Sequence, residues 1–117
     1  MSEKTKAEKL QEFEDKVNDK LSQFDHVMEL IPEGGKKMLV GDALRDYCRI
    51  SVQYDDISDD IIATGTKVKG ARGNVICNPD LQSQHRLLNE KNALLAKLIK
   101  ELPDGEVKDA LAAFAQG

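Results

Sequence analysis

With 117 residues, 40% hydrophobic and 32% charged, the chain holds material for one small domain and matches neither a membrane-embedded nor a disordered composition. Its formal net charge of −4 excludes a general polyanion binder, because nonspecific nucleic-acid affinity rests on Lys and Arg neutralising phosphates; any nucleic-acid contact has to be local. With no Trp, two Tyr and three Phe, the core is thin, which favours further burial against partner chains.

Residues 1–7 lack the apolar segment of a signal peptide, and no apolar run approaches the roughly 20 residues of a membrane span, so the protein reads as soluble and intracellular. Lys4, Lys6 and Lys9, interleaved with Glu3 and Glu8, form a solvated, frayed start. Over 8–31, Leu10, Phe13, Val17, Leu21, Phe24, Met28 and Ile31 recur every three or four residues, which predicts one amphipathic helix with a narrow, coiled-coil-like seam. Pro32, Gly34 and Gly35 end it.

A helix–hairpin–helix core is expected over 41–102. Asp42 can cap a second helix carrying Leu44, Tyr47, Cys48, Tyr54, Ile57 and Ile61 on one side and Asp55, Asp56, Asp59 and Asp60 on the solvated side. Whether residues 38–40 already belong to it is left open by the pattern. Gly65 stops it, glycine being the residue that adopts a left-handed helix end at least cost.

Residues 61–79 read IIATGTKVKGARGNVICNP, three basic residues and no acid in an acidic protein. The β-branched residues and glycines predict a hairpin pairing 66–69 with 74–77 across a four-residue loop, Gly70-Ala71-Arg72-Gly73. Two such strands are marginal alone and have to lean on helices or on neighbouring hairpins. Lys67 and Lys69 share a strand face and Arg72 sits at the tip, where they can reach a phosphate backbone; protection of an exposed strand edge by lysine explains the same residues equally well.

Asn78-Pro79 opens a third helix, Asn as the cap and Pro at the first helical position. It runs to about Leu102 with Leu81, Leu88, Leu95, Ile99 and Leu102 on one face and Leu87, Leu94 and Leu98 beside it, a broad stripe expected at the centre of the fold. Pro103-Asp104-Gly105 breaks the chain, and within 104–117 a short final helix aligns Val107, Leu111 and Phe114.

No catalytic constellation, cofactor or metal site is expected. His85 lies among Gln82, Ser83, Gln84 and Arg86 without a marked nucleophile, and His26 is remote from it. Cys48 and Cys77 lack metal-ligand spacing and read as reduced thiols acting as small core hydrophobes. The aspartate cluster is not an EF-hand loop, and Gly65, Gly70 and Gly73 match neither the dinucleotide fingerprint nor the P-loop.

The order of the central segments, GDALRDYCR, then GTKVKGARGNVICNP, then a leucine-rich helix, resembles the small terminase subunits of cohesive-end tailed phages. The matching positions are Asp42, Tyr47, Cys48, Arg49, Gly65, Gly73, Asn78 and Pro79; the ending PDGEVKDALAAFAQG departs from the Thr-Pro, Ser and Arg-rich ending of that family. The resemblance implies a mainly α fold of antiparallel helices with one short β-hairpin between the second and third, assembling as a homo-oligomeric ring in the host cell cytoplasm. It also implies a viral DNA-packaging factor that is not an enzyme, recognises the packaging site on viral double-stranded DNA and recruits or regulates the large terminase subunit. The DNA-binding candidates are Lys67, Lys69 and Arg72, with Arg45, Arg49, Lys36 and Lys37 secondary. The alternative is a helical protein-interaction module that binds no nucleic acid, docking through its first seam or its final helix, which the acidic composition favours.

Overall fold

The computed structural model describes residues 5–116; Glu3, Lys4 and Gly117 lie outside the described residues. The elements are α1 (Lys6–Ser22), α2 (Asp25–Glu29), α3 (Gly35–Thr64), β1 (Lys67–Lys69), β2 (Val75–Cys77), α4 (Asp80–Glu101) and α5 (Glu106–Gln116). The fold is mainly helical, with one antiparallel two-stranded sheet between α3 and α4. No helix among the described residues is long and apolar enough to cross a membrane.

The helix expected over 8–31 is divided. The Thr5 hydroxyl caps α1 by accepting from Glu8 N–H at 3.1 Å. At the other end the amides of Gln23 and Phe24 bond to Lys20 and Leu21, three residues back, and this tightened turn bends the chain into α2. A tight turn preserves three-residue spacing, so the apolar periodicity runs through the bend unbroken. The bend carries Phe24 into the core, where it is 2% exposed.

The expected start of the next helix is also corrected. Helix α3 begins at Gly35, so residues 38–40 are helical and Asp42 lies exposed inside the helix rather than capping it. Gly41 has a local packing consequence instead: a Cβ there would stand 3.3 Å from the Met28 Cε, so glycine leaves that methyl its place without a shift.

Helix α3, not α4, is the central element. It packs against α1 on one side and α4 on another, while α5 rests on α2 and α4. Its buried Val40, Leu44, Tyr47, Cys48 and Val52 form one core with Val17, Phe24, Leu95, Leu98, Leu102 and Leu111, while Ser51 and Ile61 are buried on the same helix. Each fully buried aliphatic or aromatic side chain stabilises the fold by about 1.5–3 kcal/mol. The buried Ser51 is satisfied by donating to the Tyr47 carbonyl at 2.9 Å.

Helices α3 and α4 run antiparallel, as three ties show. Asn78 bonds to Thr64 at 3.0 Å, Gln84 to Ser58 at 3.0 Å, and the Lys91 ammonium lies 5.3 Å from the Tyr54 ring centre. The acidic face expected to remain solvated is partly covered by α1: Lys16 reaches Asp56 at 3.0 Å and Lys20 reaches Asp55 at 2.8 Å. These exposed pairs fix the register of α1 on α3 more than they stabilise it.

Candidate nucleic-acid interface

Between the two long helices the chain must leave α3, reverse, and enter α4. Gly65 makes the exit: its φ of 90° and ψ of 167° belong to a region essentially restricted to glycine. Its N–H still closes the helix on the Ile61 carbonyl at 2.6 Å. The strands then pair Lys67 with Cys77, Val68 with Ile76 and Lys69 with Val75.

Pairing extends one step beyond the strands at each end, through Asn78 N–H to the Thr66 carbonyl at 2.9 Å and Gly70 N–H to the Asn74 carbonyl at 2.6 Å. The loop is therefore three residues long, Ala71-Arg72-Gly73, not four. Gly73 N–H bonds to the Gly70 carbonyl at 3.0 Å and Gly73 itself takes a φ of 81°, the turn-plus-bulge geometry of three-residue hairpins.

Directly paired residues share a face, so Lys67, Lys69, Val75 and Cys77 lie on one side and Val68 and Ile76 on the other. The first four are exposed, whereas Val68 is half-buried. Cys77 is thus a surface thiol, correcting its reading as a core residue: cross-strand pairing with Lys67 holds it on the wet face. Cys48 is buried, and burial pushes its thiol pKa up to about 11.

Arg72 occupies the loop at the tip of the hairpin and is exposed. Among the described residues, Lys67, Lys69 and Arg72 form no ion pair. Elsewhere Lys16, Lys20, Lys37, Arg49, Arg86 and Lys108 each pair with a carboxylate. The hairpin combines positive charge with the absence of any local acid from 61 to 79.

The secondary candidates do not join this cluster. Lys36 and Lys37 lie in the first turn of α3, and at 1.5 Å per residue they stand about 40 Å along the helix from its hairpin end. Lys37 pairs with Glu33 at 2.8 Å and shares a groove with Arg45, Asp25, Glu33 and Asp42, where the acids outnumber the cations. Arg49 pairs with Asp46 at 3.9 Å. Neither histidine is buried, and among the described residues no group of three or more His, Cys, Asp or Glu side chains could hold a metal.

Asn78 does more at this site than its reading as a helix cap implies. Its side-chain oxygen accepts from Asp80 N–H at 3.0 Å and its carbonyl from Leu81 N–H at 3.0 Å, so it caps α4 although Pro79 is already helical. Its amide nitrogen donates to the Thr64 hydroxyl at 3.0 Å and to the Gly65 carbonyl at 2.9 Å. The Asn-Pro pair in the sequence signals the cap but not these two bonds, which depend on residues 13 and 14 positions away.

No protein-family model, no curated protein and no solved structure matches the chain.

Proposed function

We propose that this chain is a small terminase subunit: a DNA-packaging factor, not an enzyme, that self-associates, recognises the packaging site of a viral genome and recruits or regulates the large terminase subunit. The observation that carries the reading is the acid-free hairpin presenting Lys67, Lys69 and Arg72 without ion-pair partners among the described residues. Free cations on an exposed hairpin suit phosphate contact, and repetition around a ring turns weak single contacts into avid binding. The motif order from Tyr47-Cys48-Arg49 to Asn78-Pro79 supports the same reading.

Self-association and a protein partner are supported by apolar surface. Ile62 and Val75 are 82% and 72% exposed near the hairpin, and Met38 and Leu39 are each 71% exposed at the opposite end of α3. Light scattering at high micromolar concentration tests the ring, and a gel shift with viral end DNA tests recognition. A monomer in the first or no shift in the second contradicts the proposal.

A further inference from the structure

We infer that Asn78 is a positioning residue: it sets the direction in which the cationic hairpin leaves the helix pair, and through that direction the strength of DNA binding. Its functional half rests on the DNA-binding reading above; its positional half rests on geometry alone.

The strands pair chiefly with each other and pack only slightly against the helices. Ile76 is 38% exposed, Val75 and Cys77 face solvent and Val68 is only half-buried, so little apolar burial restrains the hairpin along its length. Its orientation is therefore decided at its base. There one side of the base is Gly65, a residue with a wide choice of backbone conformations, and the other is Asn78, 4% exposed.

The Asn78 side chain and backbone join all three elements that meet at this point. The amide nitrogen holds the last residue of α3 and the Gly65 carbonyl; the backbone N–H extends the hairpin ladder to Thr66; the side-chain oxygen and carbonyl start α4. The Thr64 hydroxyl relays the tie by donating to the Asp60 carbonyl at 2.7 Å while accepting from Asn78. An amide side chain supplies both donors and the acceptor that this junction uses. Without the donors, Gly65 becomes a free pivot and the hairpin samples directions unsuited to binding.

The test compares the full chain with Asn78→Ala and Asn78→Asp by backbone amide order parameters and by anisotropy titration against duplex DNA. Aspartate keeps the acceptor for Asp80 N–H and loses both donors, so a residue needed only as a cap is rescued by it, whereas a positioning residue is not. In both variants the order parameters over 66–77 are expected to drop below about 0.6 while α3 and α4 stay near about 0.85. If the binding direction is then populated about one-tenth of the time, apparent affinity falls about tenfold. In Asn78→Ala the salt dependence stays as in the parent chain, because the same cations reach the same phosphates; the carboxylate of Asn78→Asp adds repulsion of its own, so for that variant the order parameters carry the test.

Hairpin order parameters equal to those of the parent chain in both variants overturn the inference, and a looser hairpin with unchanged affinity overturns its functional half. Should Asn78→Ala not fold, Asn78→Asp carries the comparison. If the parent chain binds no duplex DNA, the DNA-binding reading fails, while the order parameters still decide whether Asn78 fixes the hairpin.

Discussion

Phe24 packs on Phe114 with ring centres 4.6 Å apart and planes tilted by 57°, which joins the bend between α1 and α2 to the last helix of the chain. Tyr47 of α3 meets both rings edge-on, at 6.1 and 6.3 Å. Three of the five aromatic residues thus form one cluster, on which the otherwise marginal α2 and α5 depend.

Phe24→Ala is expected to destabilise the protein by about 3–5 kcal/mol, since it empties a fully enclosed site. Phe114→Ala should cost less, roughly 1–2 kcal/mol, because part of that ring is already in water. Urea unfolding measures both; equal losses would mean that the ring of α5 is not peripheral to the cluster.

Gly65→Ala is expected to cost about 1–3 kcal/mol through its backbone conformation, not through crowding, as the nearest atom to an added Cβ is 3.7 Å away. Gly35→Ala, in the first turn of α3 with nothing within 4 Å of an added Cβ, should be neutral or stabilising by up to about 1 kcal/mol. Thermal melts of the two variants separate the effects.

The two thiols should differ in reactivity. At about pH 8, iodoacetamide is expected to alkylate exposed Cys77 in the native protein and buried Cys48 only after unfolding. Mass mapping of the alkylated peptides reads the result, and rapid native alkylation of Cys48 would contradict its burial.

The raised pKa of Cys48 also has a definite sign for stability. Below the ordinary value of 9.0 the thiol is protonated in both folded and unfolded chains, so its burial adds no pH dependence there. Between 9.0 and about 11 the unfolded chain gives up the proton first, and stability falls as pH rises. Burial raises the Tyr47 pKa as well and adds a loss of the same sign at higher pH. Unfolding free energy measured through this window should decline less steeply for Cys48→Ala than for the parent chain.

The amphipathic helices, the glycine stop at 65 and the hairpin were legible in the sequence because each is a local pattern: periodicity, a φ requirement, or a switch from three-to-four to two-residue spacing. The bend at Phe24 was not, since a tight turn keeps the apolar residues in step. Asp42 misled because Gly41-Asp42 has the composition of a helix start, while the glycine leaves the Met28 methyl its place. At the candidate site, the common face of Lys67 and Lys69 followed from strand alternation. The exposure of Cys77 and the donors of Asn78 did not, because both depend on partners far along the chain.

The central claim is tested most directly by titrating the parent chain and a Lys67→Ala, Lys69→Ala, Arg72→Ala triple variant against duplex DNA over a range of salt concentrations. The account predicts weaker binding by the variant and a shallower salt dependence, by about 0.9 in the logarithmic slope for each phosphate that the variant no longer neutralises. Unchanged affinity with an unchanged slope would contradict it and remove the hairpin from DNA recognition.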